Sequence, residues 1–565
     1  MGSGLNSSVG NKSFSPPPRL LRAALWVALA AAAARLLWSP INDPDLFWNL
    51  TAGRWMWEHH RFLGTEIFSH TMAGVRWLNF EALGQILLYA AERAAGLEGV
   101  RALWVFLSLL SLGLLVRSAR AAGAAGRWLV PLAGLAFLLL DLRLKPRPEI
   151  FSWACFSALV LIVESARAGA SPAWEKRFPW AVAGLFLFWV NTHPGYIYGL
   201  LYLTALAAGA RWAGDRRSFI ARLDRAIVLA FICVPLTPLG FNVAALHLET
   251  VFEVRRGIPI AEWRPTAVRD APLFWASFLI AGAALARGIL RRDPGDRRWA
   301  AAILGFGILG TSVLRNSVLI VFPLIPWLAA KFAAWERAKP EVRRAGGIVA
   351  ASAAGGLIFL AVVHPPPSYL LSRRNLPVEA CRFVKSAGIE GTMYNSYGWG
   401  GYIGWALPDR KVFQDGRYLF APFLWEEVEL EVFGPDSDRR GLWAAYLDRY
   451  GVDYGIMDDK TSPALESFHP PLMSERLFPE DRWALVYWDD LSWVFVKRIP
   501  KFEPLIRARE YRALRPARQE LLFAGTLPAP AAAIRAELER HAREVSFSLK
   551  GAFLEKSLQA RSPRS

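Results

Sequence analysis

Cysteine is nearly absent from this sequence, whose 565 residues include three: Cys155, Cys233 and Cys381. The first two fall inside apolar segments, and the third stands alone in a more polar region. None of their spacings is that of a disulfide framework or a cysteine metal site, so the sequence predicts neither. Cysteine usage therefore gives no information about the redox compartment.

Charged residues are also few, at 20% of the chain, against 54% hydrophobic residues and a mean hydropathy of +0.24. Soluble proteins rarely have this composition, whereas multi-pass membrane proteins do. The net charge of +18 does not indicate nucleic-acid binding, because Lys and Arg fall mainly in short runs between apolar segments. Cytoplasmic loops of membrane proteins have this distribution.

The chain also has no internal repeat and no phosphate-binding glycine loop. The glycines of YNSYGWGGYIGW (394–405) are not followed by Lys-Ser/Thr, and they do not lie between a strand and a helix. With their aromatic neighbours they predict a tight pair of strands, which could bind a glycan or pack the region onto the membrane part.

A window of about 20 residues per bilayer crossing predicts about eleven spans. They lie near 20–38, 98–117, 127–141, 149–166, 177–191, 195–212, 225–239, 271–290, 298–315, 317–333 and 345–363. Residues 80–95 have helical apolar spacing interrupted by charges, which favours an amphipathic helix on the membrane surface over an extra span. A cytoplasmic N-terminus places alternate loops, all of them basic, in the cytoplasm. The region after His364 is then extracytoplasmic.

The predicted fold class is thus a multi-pass α-helical membrane protein with a C-terminal extracytoplasmic α/β domain. Residues 1–19 are expected to be a disordered cytoplasmic tail, 20–365 the membrane domain and 39–97 its first outer loop. Residues 366–500 change to short aromatic and β-branched runs between turns, which predict the α/β domain. The predicted strands are MYNSYGWGGYIGWAL, KVFQDGRY, YGIMDD, WALVYWDD and WVFVKRI, and the predicted helices between them are VEACRFVKSAG and RGLWAAYLDRYG. Residues 501–565 are expected to be a helical or partly disordered extension.

The first outer loop begins with Asp43 and Asp45 on either side of Pro44. Because proline lacks a backbone donor and keeps the preceding residues extended, the pattern predicts a stiff connector outside any helix. Closely spaced carboxylates can act as a base or hold a divalent cation such as Mg²⁺ or Mn²⁺ on a phosphate. The structural alternative is a helix-capping turn. Trp48 and Trp55 follow, and such aromatic faces can stack on sugar rings.

Other polar residues at predicted span ends fall on the same outer face. Arginine suits phosphate bidentately, and histidine can bind phosphate or move a proton, although lipid headgroups or a structural role would also account for them. The candidates for substrate or phosphate binding are Arg143, Arg147, His193, Glu262 and Arg315.

The loop NDPDLFWNLTAGRW (42–55), followed by RWLNFEALGQ (76–85), resembles the first outer loop of the GT-C superfamily of membrane glycosyltransferases. The resemblance covers nearly all of residues 20–500, including a Y-x-W-G-G-Y segment and an Asp-Gly-Arg step. Asp43 and Asp45 match the acidic residues of the family's first loop, and the arginines and His193 match more loosely. The oligosaccharyltransferase motif WWDYG is absent from the sequence, which argues against N-glycosylation of proteins.

The resemblance implies an inverting glycosyltransferase of the bacterial cytoplasmic membrane, with a polyprenyl-phosphate-linked sugar as donor and a glycan or protein as acceptor. Asp43 or Asp45 would deprotonate the acceptor, and the arginines would stabilise the phosphate leaving group. A divalent cation held by Asp43 and Asp45 stays open. Two alternatives remain, a non-catalytic scaffold with this fold and a lipid or glycan transporter.

Overall fold

The computed structural model describes residues 19–169, 171–243, 261–339, 341–364, 367, 369–430, 439–458, 470–545 and 547–560. The N-terminal two thirds of this part of the chain is helical. Its helices are α1 (Arg19–Leu37), α2 (Asp45–His59), α3 (Ala82–Ala121), α4 (Gly126–Leu140), α5 (Glu149–Arg167), α6 (Pro172–Thr192), α7 (Tyr196–Ala213), α8 (Arg217–Cys233), α9 (Pro272–Leu290), α10 (Pro294–Ser312), α11 (Val321–Ala338) and α12 (Glu341–Val363).

Each predicted span coincides with a helix, although α8 ends at Cys233 and a 3₁₀ segment, Leu314–Ile320, precedes α11. Five helical stretches among the described residues are long and apolar enough to cross a membrane. They are Ala82–Ala121, Glu149–Arg167, Pro272–Leu290, Leu314–Ala338 and Glu341–Val363. The count of eleven crossings stays a prediction, and the predicted tail 1–19 lies almost wholly outside the described residues.

Residues 80–95 contain a helix that begins at Ala82 and ends at a break at Ala95 and Gly96, where Gly96 has a φ of 60°. A second helix continues from the break to Ala121, and the two together are α3. Glycine adopts this left-handed conformation at little steric cost, so it permits the change of direction. The predicted helix is present, and its position on a membrane surface stays a prediction.

The α/β region contains one four-stranded sheet in the order β1-β2-β4-β3. Its strands are β1 (Met393–Asn395), β2 (Tyr454–Asp458), β3 (Trp483–Trp488) and β4 (Ser492–Lys497). The β1–β2 pair is parallel, and the other two pairs are antiparallel. Alternate residues of a strand point to opposite faces. Accordingly Val494 and Val496 join the large core that includes the membrane helices, whereas Trp493 and Phe495 join a second core.

Two of the predicted strand segments are not strands. Residues 397–406 form a 3₁₀ turn, Tyr397–Trp399, and the helix Gly400–Ala406, so the predicted glycine-rich strand pair is wrong apart from β1. The segment around Val412 contributes an isolated bridge to Ser69 and no strand. The predicted helices near residues 378 and 440 are present as Val378–Ser386 and Arg439–Arg449.

Further helices cover the second face of the sheet. They are Ala421–Val428, Pro470–Leu477, Pro516–Phe523, Ala531–Glu544 and Leu549–Gln559, whereas the helix Glu503–Arg509 contributes Ile506 to the large core. Arg515 is almost fully buried there and donates hydrogen bonds to the carbonyl oxygens of Phe478 (2.7 Å) and Trp483 (3.1 Å). The C-terminal extension is therefore helical and packed onto the sheet through the part that the structure describes.

Candidate active site

Asp43 and Asp45 lie at the start of α2. The Asp43 carboxylate accepts a hydrogen bond from the backbone N–H of Asp45 (3.1 Å), and the Asp43 carbonyl accepts one from Leu46 (3.3 Å). Such contacts satisfy donors that the first turn of a helix leaves free. Asp45 is thus the first residue of a helix, and the predicted connector outside any helix is wrong for it. The helix-capping alternative describes Asp43.

Arg147 joins the two carboxylates from a second segment. Its Nη2 lies 2.9 Å from Asp43 Oδ2, and its Nη1 lies 3.0 Å from Asp45 Oδ2. The Lys145 ammonium is 3.9 Å from the same Asp43 oxygen. Pro148 then precedes α5, so Arg147 is held immediately before the first turn of that helix. The two predicted acidic residues and a predicted phosphate ligand therefore form one ion-paired group.

Arg143 and Arg315 complete a second group around two carboxylates. Arg143, in a 3₁₀ turn, forms ion pairs with both Glu149 and Glu262. Arg315 Nη2 is 3.2 Å from Glu149, and its Nη1 is 3.9 Å from Glu262 Oε1. That same Glu262 oxygen is 4.0 Å from Arg147 Nη1, which connects the two groups.

His193 follows the last residue of α6, and its ring orientation is fixed by hydrogen bonds. Nδ1 accepts from the backbone N–H of Gly195 (3.0 Å) and lies 2.7 Å from the Ser152 hydroxyl, which in turn accepts from Trp189 Nε1 (2.7 Å). These contacts assign the proton to Nε2, which lies 3.4 Å from Glu81 Oε1. Neutral His193 therefore donates toward Glu81.

Burial controls the protonation of this part of the site. Desolvation raises the pKa of Glu81 to about 8, against the attraction of Arg147, and it lowers the pKa of His193 to about 3. Desolvation also raises the pKa of Asp45 to about 7, with Arg147 opposing it and Asp43 adding to it. The pKa of Glu262 is instead held well below its usual range, because the attraction of the three arginines outweighs its burial.

The C-terminal region forms one wall of the site. A Cβ atom added at Gly401 would lie 2.5 Å from the Pro44 carbonyl oxygen, and one added at Gly416 would lie 2.1 Å from Asp45 Oδ1. Only glycine allows this close approach without displacement. Arg417, paired with Asp415 and Glu66, stacks near the Trp77 and Trp48 rings. The Asp-Gly-Arg step therefore lies against the start of α2.

The predicted stacking residues have different positions. Trp48 Nε1 donates to Asp45 Oδ1 (3.3 Å), so this indole lies at the carboxylates. Trp55 stacks on His59 with ring centroids 4.4 Å apart, and ten residues of helix place it about 15 Å along the axis from Asp45. The structure brings Trp48 into the group and does not bring Trp55 there. Both sugar-stacking roles stay predictions.

Three buried residues of the site were not among the predicted ones: Glu81, Glu149 and Ser152. Glu81 had a sequence signal, since it lies in the RWLNFEALGQ segment that carries the family resemblance. Glu149 also had one, as the acidic end of DLRLKPRPE (141–149). Ser152 lies inside an apolar run and gave none. Its role depends on helix packing that a sequence does not show.

Asp43 and Asp45 are also the residues predicted to hold a divalent cation. Both contact the Arg147 guanidinium, and no group of three or more His, Cys, Asp and Glu residues that could hold a metal ion occurs in the described part of the chain. Two carboxylates can still hold a cation together with a substrate phosphate, so the cation stays a prediction.

Solved structures share this architecture over most of the chain. The archaeal oligosaccharyltransferase AglB from Archaeoglobus fulgidus, in complex with an inhibitory peptide and a dolichol-phosphate, matches with a TM-score of 0.52 and 12% identity. The match covers 90% of this chain and 79% of that one. The oligosaccharyltransferase of the same organism, tethered to an acceptor peptide, matches with a TM-score of 0.50 and 12% identity over 85% and 74% of the two chains.

The chain has the GT-C fold. At 12% identity these similarities establish the architecture and leave the chemistry to be argued from the residues. No protein-family model matches the sequence, and no curated protein matches it. The fold expected from the first outer loop is confirmed. The number of membrane spans and the side of the membrane on which the site lies stay predictions.

Proposed function

We propose that this chain is an inverting glycosyltransferase that moves a sugar from a polyprenyl-phosphate donor to a glycan or protein acceptor. The observation that carries the proposal is the convergence of three guanidinium groups and two first-loop carboxylates in one largely buried group, within a GT-C fold. Guanidinium groups recognise phosphate, and a carboxylate can accept a proton from an acceptor hydroxyl. A dolichol-phosphate bound to the AglB structure supports a lipid phosphate as the anion.

Asp45 is the better general base of the two aspartates. Its side chain is 25% exposed, against 4% for that of Asp43, and its pKa is raised to about 7. Asp43 is occupied by the helix start and by Arg147, so we assign it the positioning of both. General bases work best with a pKa near the operating pH, which favours Asp45.

In the proposed step, Asp45 takes the proton of the acceptor hydroxyl as the acceptor oxygen attacks the anomeric carbon of the donor sugar. The bond from that carbon to the phosphate oxygen breaks on the opposite face, so the configuration inverts. The electron pair leaves with polyprenyl phosphate. Arg143, Arg147 and Arg315 stabilise the developing negative charge, and fixed charges of this kind act strongly in a water-poor site.

The proposed location is the bacterial cytoplasmic membrane, with the site and the α/β region on the outer face. The support is the basic character of the alternate loops and the set of apolar helices. Membrane lipids would surround these helices and supply the donor laterally. The proposed role lies in the cell envelope, because its polymers are assembled on that face.

The test is release of polyprenyl phosphate from a panel of radiolabelled polyprenyl-phosphate sugars by the full chain in detergent, with a membrane extract as the source of acceptors. We expect Asp45→Asn to lower the rate by about 10²–10⁴-fold while keeping the thermal stability of the wild type. Asp224→Asn is the matched control, since Asp224 pairs with Arg211 in an exposed ion pair elsewhere.

Every charge in the site has an internal partner, and this observation favours the scaffold as the second candidate. A scaffold would release no lipid phosphate from any donor, and Asp45→Asn would then leave binding of envelope partners unchanged. Release by the wild type together with equal release by Asp45→Asn would contradict the assignment of the base.

A further inference from the structure

Three arginines converge on a single carboxylate in this site, that of Glu262. One of its oxygens pairs with Arg143, and the other lies 4.0 Å from Arg147 Nη1 and 3.9 Å from Arg315 Nη1. Three guanidinium groups around one small anion form a geometry that suits a phosphate group. A carboxylate in the middle of them cannot itself attract phosphate.

Each of the three arginines also has a second carboxylate partner. Arg143 and Arg315 pair with Glu149, and Arg147 pairs with Asp43 and Asp45. A buried charge without a partner is costly. If Glu262 moved away, each arginine would still have a carboxylate partner, so this cost would not arise. Its departure would instead free Arg143 Nη1, which donates to Glu262. It would also uncover Arg315 Nη1 and Arg147 Nη1 beside it, the latter also donating to Asp45 Oδ2 (3.0 Å).

Glu262 is also the carboxylate that is free to leave. Its side chain is 26% exposed, whereas that of Glu149 is 4% exposed at the start of a long helix. Glu262 belongs to a three-residue 3₁₀ turn, Ala261–Trp263. In addition, the Nε atoms of Arg143 and Arg147 are buried without a hydrogen-bond partner in the described part of the chain. Arg143 and Arg147 therefore each keep one donor that no other group in the described part of the chain uses.

We infer that Glu262 occupies the binding place of the donor phosphate in the ligand-free protein, and that the phosphate of a polyprenyl-phosphate lipid displaces it. The anion site comprises Arg143 Nη1, Arg147 Nη1 and Arg315 Nη1. Glu262 neutralises these groups when no lipid is bound, and it competes with the phosphate when one arrives. The inference rests on the proposed function for the identity of the lipid, and it replaces the earlier assignment of Glu262 as a phosphate ligand.

The test measures binding and needs no turnover. The full chain in detergent is titrated with farnesyl phosphate, with farnesol and with inorganic phosphate, and the dissociation constants are determined by calorimetry. We expect Glu262→Gln to bind farnesyl phosphate at least about tenfold more tightly than the wild type, because the competing charge is gone. Farnesol should bind all variants equally. A gain for inorganic phosphate of the same size would identify a free phosphate as a sufficient ligand.

Glu58→Gln is the matched control, since Glu58 forms an exposed ion pair with Arg54 on α2, and it should bind like the wild type. Glu262→Asp, which retains the charge but shortens the reach, should show a smaller gain and covers the case in which Glu262→Gln fails to fold. Equal or weaker binding of farnesyl phosphate by both folded Glu262 variants would overturn the inference.

The two proposals can fail separately. Tighter binding by Glu262→Gln without sugar transfer by the wild type would uphold the anion site and refute the transferase. Sugar transfer by the wild type, with no tighter binding of farnesyl phosphate by Glu262→Gln, would uphold the transferase and refute the anion site.

Discussion

Glu81 is a carboxyl group whose burial outweighs the attraction of the neighbouring arginines. Its pKa is raised to about 8, so the folded protein keeps it protonated at neutral pH, whereas the unfolded chain ionises it near pH 4.5. The folded state therefore binds more protons between these values, and stability falls as pH rises through this window. Ionising the group in the fold costs on the order of 5 kcal/mol more than ionising it in the unfolded chain.

We expect the melting temperature of the wild type to decline between pH 5 and about 8, and Glu81→Gln to lose much of this decline. The measurement is thermal unfolding in detergent across that range, with the exposed Glu58→Gln as a control that keeps the slope. The same slope in wild type and Glu81→Gln would show that Glu81 is ionised in the fold.

The pKa of Asp45 predicts how the proposed activity depends on pH. Only the ionised carboxylate can accept the acceptor's proton, and burial raises the pKa of Asp45 to about 7. The rate of polyprenyl phosphate release should therefore rise with pH and level off above about 7. A rate that is constant from pH 5 to 8 would exclude Asp45 as a base with this pKa.

At the residue scale, the sequence was sufficient to identify the charged residues at the ends of apolar segments as candidates for the site. Asp43, Asp45 and Arg147 were found because charge is costly at such positions unless it has a partner. Which of them pair could not be found, since Arg147 reaches Asp43 across about a hundred residues of chain. Ser152 could not be predicted as a site residue either. A serine hydroxyl inside an apolar helix can donate to the backbone of its own helix, so its presence there does not indicate a partner elsewhere.

At the scale of elements, the helix Gly400–Ala406 packs closely against the start of α2. An added Cβ at Gly401 would meet the Pro44 carbonyl at 2.5 Å, and backbone cannot move aside as a flexible side chain can. We expect Gly401→Ala to displace Asp45 and to lower the proposed activity by about tenfold or more, since misplacement by 1 Å can cost about 10²-fold. The measurement is the release assay together with a melting curve.

Gly398→Ala is the control for this substitution. It lies three residues earlier in the same segment, and an added Cβ there meets nothing within 4 Å. Equal activity of the two variants would mean that the wall formed by this helix does not position Asp45.

The same segment shows where pattern reading fails for elements. Aromatic residues alternating with glycines favour strands locally, yet residues 400–406 are helical because their glycines lie against other backbone, at Pro44 and at Gln414. By contrast, β3 and β4 were recognisable, since an uninterrupted run of aromatic and β-branched residues suits a strand covered on both faces. Long-range contact decided the first case, and local composition sufficed in the second.

At the scale of the whole molecule, the orientation in the membrane can be measured directly. The three cysteines are free and buried, so they can be replaced to give a background without thiols. Asp409→Cys and Lys176→Cys then place exposed thiols in the α/β region and near the start of α6. A maleimide that cannot cross membranes should label the first in intact cells and the second only after lysis. Labelling in the reverse order would invert the orientation.

The order of the site residues along the chain has a consequence for biosynthesis. Asp43, Asp45, Arg147 and Glu149 all leave the ribosome within the first 150 residues, whereas Glu262, Arg315, Gly401 and Gly416 follow much later. Arg147 can therefore neutralise the two aspartates as soon as α5 leaves the translocon, before the competing carboxylate or the C-terminal wall exists. Once α5 has emerged, the nascent chain therefore carries a counter-charge for Asp43 and Asp45 while the rest of the protein is being made.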